Sequence, residues 1–184
     1  MEKNHQERKR NRRILITGAE STGKSELASS LASCYGGMMV PEYAREYMMR
    51  LQRPYTWTDV EQIAQHQSAA YERNLQEPGW VFFDTWLMIT KVWFDVVFGK
   101  VPGWIEERIR TATFDLVLLC NTDIPWVPDP VRENGGEKRE ALMDRYREEL
   151  NRYGYPYVLV SGSGPQRIRH AIQHIQHHII QADE

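Results

Sequence analysis

One stretch of eight residues constrains this chain more than any other: "GAESTGKS", Gly18 to Ser25, which follows the apolar run "RILIT" and precedes the helix-prone "ELASSLA". It has the G-x-x-x-x-G-K-[ST] spacing of a phosphate-binding loop, in the context such a loop needs, with a strand before it and a helix opening at its end. The backbone N–H groups of Ala19, Glu20, Ser21, Thr22, Gly23, Lys24 and Ser25 are expected to wrap a β-phosphate at the positive end of that helix. Lys24 is expected to reach the β- and γ-phosphates of ATP, and the Ser25 hydroxyl to coordinate Mg²⁺. Loops of this kind serve motors, GTP switches and small-molecule kinases alike. The loop therefore predicts the bound group and leaves the reaction open.

The rest of the chain supplies the frame. "ILIT" (14–17), "GMMV" (37–40), "WVFFD" (80–84), "FDLVLLC" (114–120) and "YVLV" (157–160) are near-continuous apolar runs, as in strands of a parallel sheet covered on both faces. Helical stretches lie between them, so the order is βαβα and the expected class is α/β: a doubly wound parallel sheet carrying the P-loop. At 184 residues the chain suffices for one domain, expected over 13–184 after a basic, disordered tail at 1–12. "TDVE", Thr58 to Glu61, has capping-box spacing and opens a helix with Val60, Ile63, Ala64 and Tyr71 on one side. The last helix presents Ile168, Ile172, Ile175 and Ile179 as an apolar stripe, which puts His170, His174, His177 and His178 on the solvent side. No metal ligand is assigned there.

Charge and cysteine usage narrow the class. Residues 1–13 hold six Lys/Arg against two acidic residues, leaving 17 against 23 in the remainder, so the globular part is no nucleic-acid surface. Cys34 and Cys120 form no C-x-x-C pattern and are expected to be packing residues in a reducing compartment. No run is apolar enough for a signal peptide or a membrane span, since "WVFFDTWLMIT" is short and broken by Asp84; a cytoplasmic location follows.

What the chain lacks selects among the P-loop reactions. A GTP switch needs a guanine-reading N-K-x-D where this chain has "CNTD", and the segment "DTWL" at Asp84 lacks the glycine of a D-x-x-G switch. Motor and AAA-type ATPases need a larger module with an acidic pair in the second motif, whereas Thr85 follows Asp84. A small kinase remains. Its acceptor hydroxyl needs a carboxylate nearby, and its phosphates need mobile arginines that exclude water. Asp84, at the carboxyl end of a strand, is a candidate for holding Mg²⁺ or the acceptor. Glu42, in "PEYAREY", is the candidate for taking the hydroxyl proton, with Tyr43 and Arg45 beside it as substrate contacts. The Pro- and Gly-rich stretch "NTDIPWVPDPVRENGGEKRE" reads as a lid carrying Arg132 and Arg139 as its phosphate-contacting arginines.

Together "ILITGAESTGKSELASSLA", "PEYAREYM", "VFFDTW", "FDLVLLCNTDIPWVPDPVR" and "YVLVSG" resemble the ribosylnicotinamide kinase domain of the bacterial NadR-type NAD-biosynthesis proteins, from about Arg13 to about Gly162. The combination of "EYAREY" with "PWVPDPVR" carries the likeness more than the generic loop. The resemblance implies transfer of phosphate from ATP to the 5′-hydroxyl of nicotinamide riboside, giving nicotinamide mononucleotide in NAD salvage. It puts Gly18 to Ser25 on ATP and Mg²⁺, Trp126 beside the nicotinamide ring, Arg132 in the lid, and Glu42, Arg45 and Asp84 at the acceptor and metal. The longer family members also have DNA-binding and nucleotidyl-transferase domains, and this chain shows no H-x-G-H-type motif, so neither repression nor adenylyl transfer is implied. Two rivals stay open: a kinase of another nucleoside or small alcohol, and a nucleotide-dependent interaction module whose basic tail docks a partner.

Overall fold

Five apolar runs too short for helices, spaced by amphipathic segments, leave the backbone one economical arrangement: strands side by side, with helices covering both faces. The computed structural model describes residues 11–128 and 135–181. Its five strands are β1 (Arg12–Thr17), β2 (Met38–Val40), β3 (Trp80–Asp84), β4 (Leu116–Cys120) and β5 (Tyr157–Val160). They form one parallel sheet in the order β2-β3-β1-β4-β5. The helices are α1 (Lys24–Tyr35), α2 (Tyr43–Arg50), α3 (Trp57–Asn74), α4 (Leu87–Phe98), α5 (Gly103–Thr111), α6 (Glu137–Arg152) and α7 (Gly164–Ile175), the last running into a π-helical turn, Gln176–Ile180. None is long and apolar enough to cross a membrane.

Alternation along the strands divides the core in two. Leu15, Val81, Phe83, Val117 and Leu119 face a cluster completed by α3, α4, α5 and α6. Ile14, Ile16, Phe82, Leu116 and Leu118 face the opposite cluster, closed by α1 and α7. In register, Ile14 stands between Phe82 and Leu116 at the sheet centre. Each such side chain, wholly out of water, contributes about 1.5–3 kcal/mol. Central β1 lies between β3 and β4, so the carboxyl ends of these three strands make the crevice in which ligands of open α/β sheets collect.

Four local expectations are corrected. The tail boundary at residue 12 is too late, because Arg12 already belongs to β1: its N–H donates to Gly79 O at 2.8 Å and its guanidinium pairs with Asp115 at 3.1 Å. Residues 1–10 lie outside the described residues. The capping box of α3 is Thr56 with Asp59, not Thr58 with Glu61; Asp59 Oδ2 accepts from both the Thr56 N–H and its hydroxyl. His170 and His174 are half-buried rather than solvated, and His170 Nδ1 accepts from the Ser161 N–H at 3.1 Å. His177 and His178 are exposed as expected, while Cys34 is exposed rather than packed.

Candidate active site

The loop between β1 and α1 is shaped by residues that tolerate left-handed backbone. Gly18 has φ +137° and lies against β4, where an added Cβ would stand 2.7 Å from Cys120 O. Ser21 and Gly23 follow with φ of 57° and 73°. The Thr22 hydroxyl donates to Ala19 O at 2.8 Å, closing the turn from inside. Lys24 Nζ donates to the same carbonyl at 2.8 Å, so its ammonium lies across the loop.

Two buried guanidinium groups hold this loop from outside. Arg139 donates through Nε to Glu20 O at 3.0 Å, through Nη2 to Ser21 O at 2.8 Å and through Nη1 to Ile124 O at 2.9 Å. Arg167 donates through Nη1 to Thr22 O at 2.8 Å and through Nε to Gly162 O at 2.7 Å. Its Nη2 reaches Asn121 O at 3.1 Å and pairs with Asp123. A peptide C=O and the N–H bonded to it point opposite ways. Three successive carbonyls tied outward therefore turn the N–H groups of Ser21, Thr22 and Gly23 inward, to the phosphate side. Arg139, expected as a lid arginine on phosphate, has its guanidinium on the loop carbonyls instead. Arg132 lies outside the described residues.

Asp84 ends β3 opposite Ile16, only 1% exposed, and neither of its oxygens has a hydrogen-bond partner. Burial raises its pKa above the ordinary carboxylate value, with nearby Ser25 and Lys24 acting in the opposite sense. The next residue, Thr85, is β-branched yet has φ +67°, with its N–H bonded to Ile16 O at 2.9 Å. Strain of about 1–3 kcal/mol is thereby stored beside the carboxylate. Ser25 and Asp84 supply a hydroxyl and an enclosed carboxylate, hard oxygen donors that fit Mg²⁺, an ion that takes one or two protein ligands and leaves the rest to phosphate and water. Among the described residues no group of three or more His, Cys, Asp or Glu forms a metal cluster.

Two cavities flank this centre. One, of about 340 Å³, lies beside Gly23 and is walled by Leu27, Ile124, Pro125, Val127 and Ile168, apolar surfaces suited to a flat base. Val127 N–H donates to Ser21 Oγ at 2.9 Å, tying this wall to the loop. The other cavity, closed to about 10 Å³, is lined by Tyr43, His66, Gln67, Asp84, Thr85 and Trp86. Glu42 is the N-cap residue of α2, with Arg45 less than one turn on, and both are half-buried. Burial, with the charges of Glu20 and Glu42 acting in the same sense, raises the pKa of the Tyr146 phenol on α6. Trp126 lines neither cavity; its ring packs on Gly135, where an added Cβ would come within 3.2 Å, and its indole Nε1 is enclosed without a partner.

Sequence reasoning missed Arg167, His66 and Gln67. One signal existed for Gln67: it falls four residues after Ile63 and seven after Val60, a polar residue on the apolar stripe of α3.

A glycine-lysine loop at the head of α1, a buried acid on the neighbouring strand and a parallel sheet in this order define a P-loop nucleotide-binding domain with the fold of nucleoside kinases. A family model described as "AAA domain" matches residues 13–167, and the chain belongs to that family. This corrects the argument from Asp84-Thr85, which set AAA-type domains aside because Thr85 follows Asp84. The chain is 28% identical over 159 residues to the trifunctional NAD biosynthesis/regulator protein NadR of Salmonella typhimurium, covering 81% of this chain and 38% of that protein. A crystal structure of NadR protein in complex with NR has a TM-score of 0.77 at 23% identity over 91% of this chain and 50% of that one. A deoxyadenosine kinase from M. mycoides matches at a TM-score of 0.65 and 16% identity, over 91% of this chain and all of that one. The chain thus spans less than half of its Salmonella relative.

Proposed function

We propose that this chain transfers the γ-phosphoryl group of ATP to the 5′-hydroxyl of nicotinamide riboside, giving nicotinamide mononucleotide. The observation that carries this reading is the meeting of the Lys24 loop with buried Asp84 between two cavities, one apolar and base-sized, the other aromatic and acidic. A phosphotransferase needs two substrates on opposite sides of one phosphate, and this arrangement suits that need. The choice of acceptor is supported by the likeness to NadR.

In this reading the base of ATP lies against Leu27, Ile124 and Ile168, with its phosphates on the N–H groups of residues 19–25. Lys24 leaves Ala19 O for the β- and γ-phosphate oxygens and compensates charge as the bond to the leaving oxygen breaks. Ser25 and Asp84 would hold Mg²⁺, which would supply positive charge to the phosphates. Glu42 takes the proton of the 5′-hydroxyl as that oxygen attacks phosphorus, while Tyr43 and Arg45 orient the ribose. Arg132 belongs to the lid that closes over the phosphates, and Trp126, just before it, meets the face of the pyridinium ring.

A second reading, with a different nucleoside as acceptor, is favoured by the match to a deoxyadenosine kinase over its full length. A nucleoside panel incubated with ATP and Mg²⁺ separates the two. Nicotinamide mononucleotide formed with equimolar ADP is expected. Phosphorylation of another nucleoside alone, or ADP released without a phosphorylated acceptor, would overturn the proposal.

A further inference from the structure

On the acceptor side of Asp84, three neighbouring side chains have buried polar atoms without a hydrogen-bond partner: Gln67 Nε2, Trp86 Nε1 and His66 Nδ1. Gln67 is 5% exposed and Trp86 1%. The hydroxyl of Thr90, wholly buried on α4, donates to Gln67 Oε1. That bond holds the carbonyl end of the amide on α4 and leaves its N–H₂ end to the cavity. An enclosed donor left unbonded costs about 1–3 kcal/mol, and native folds retain few of them without a reason. A ligand carbonyl supplies one.

We propose that Gln67 is a specificity-determining residue that reads the carbonyl of a neutral carboxamide on the acceptor's ring, with Trp86 and His66 completing the polar edge; this rests on the kinase reading above. The carboxamide oxygen takes N–H donors of Gln67 and Trp86, and its N–H₂ donates to His66 Nδ1. Burial lowers the pKa of His66, with Arg73 acting in the same sense and Glu46 opposing, so the ring stays neutral and its free nitrogen can accept. The His66 ring stacks on Tyr43, with centroids 3.5 Å apart and planes 13° from parallel. At about 10 Å³ the cavity holds no more than one water, so a pyridinium ring enters as the Tyr43 ring gives way, leaving His66 at the carboxamide edge.

The same wall selects against the acid analogue. No Lys or Arg lines this cavity, and its one formal charge is the carboxylate of Asp84. A carboxylate on the ring would add a second negative charge to a wall that carries no Lys or Arg, and would offer no donor to His66.

The test compares three acceptors, nicotinamide riboside, nicotinic acid riboside and the unsubstituted pyridinium riboside, in wild type, Gln67→Leu and Gln67→Glu. Gln67→Glu retains the oxygen that meets Thr90 and loses the donors, so it separates recognition from folding; melting temperatures are recorded alongside. Wild type is expected to use the amide at least about tenfold better in kcat/KM than the acid. Gln67→Leu is expected to raise the KM of nicotinamide riboside by about tenfold while leaving that of the pyridinium riboside and of ATP unchanged; Gln67→Glu, which also adds a carboxyl beside Asp84, is expected to raise the nicotinamide riboside KM at least as much. Equal losses for the amide and the pyridinium riboside, or a wild type that prefers the acid, overturn the role of Gln67 while the kinase reading stands. A wild type that phosphorylates no pyridinium nucleoside overturns both.

Discussion

Arg167 and Thr22 meet across 145 residues of sequence, the guanidinium Nη1 of the one donating to the carbonyl of the other at 2.8 Å. With Arg139 on Glu20 and Ser21, this contact makes the phosphate loop an externally braced structure rather than a self-supporting turn. The same guanidinium also holds Gly162, Asn121 and Asp123, which belong to the turns after β5 and β4.

Arg167→Met should therefore act on the nucleotide side. It leaves Asp123 without its buried partner and three carbonyls without a donor, a loss of about 2–4 kcal/mol, or roughly 5–15 °C in melting temperature. The KM of ATP should rise about tenfold with the acceptor KM nearly unchanged. Scanning fluorimetry and steady-state kinetics check this, and an unshifted ATP KM would show that the brace is structural alone.

Asp84→Asn should separate stability from activity. Burial raises the folded-state pKa of Asp84, so its contribution to stability is full at pH values below its unfolded pKa, near 4, and is lost as pH rises through the folded value. The Asn variant lacks that loss. At pH 7 it should be more stable than wild type in urea unfolding, while its turnover falls and its Mg²⁺ dependence shifts. A variant less stable than wild type at every pH would mean that the carboxylate is held by contacts stronger than its burial cost.

What the sequence revealed and what it hid differ in range. The loop from Gly18 to Ser25 was legible because its glycines, lysine and hydroxyl sit at fixed local spacing, and the strands because both faces of each are apolar. Asp84 was legible as the polar end of "WVFFD". Arg167 was not, because nothing within its own helix signals a carbonyl 145 residues away in the loop before α1. Thr56 and Asp59 were passed over for Thr58 and Glu61 because both pairs satisfy the same spacing. The choice falls to tertiary contacts: Asp59 also accepts from Tyr47 of α2 at 2.8 Å and pairs with Arg53 at 2.7 Å. Gln67 sits on a stripe that periodicity alone assigns to the core, and His66 lies off that stripe, where nothing in the spacing marks it.

Asp59 gives a second pH dependence of opposite sign. Bonds from Arg53, then Thr56 and Tyr47, hold its pKa far below the ordinary value, so the stability it contributes is present above about pH 4 and is lost as pH falls. Asp59→Asn should flatten the acid limb of the stability curve. Because Tyr47 lies on α2, the variant should also loosen the helix that begins beside Glu42 and raise the acceptor KM by a few-fold. Acid unfolding followed by circular dichroism, with kinetics at pH 7, measures both; an unchanged acid limb would contradict the assignment.

The central claim is that the Lys24 loop drives phosphoryl transfer to nicotinamide riboside. The most direct measurement is quantitation of ADP and nicotinamide mononucleotide by mass spectrometry in wild type and Lys24→Ala, with and without nicotinamide riboside. The account predicts equimolar products that require the riboside in wild type, and a loss of about 10²–10³-fold in Lys24→Ala with its melting temperature nearly unchanged. ADP formed equally without the riboside, or undiminished turnover in a folded Lys24→Ala, would contradict it.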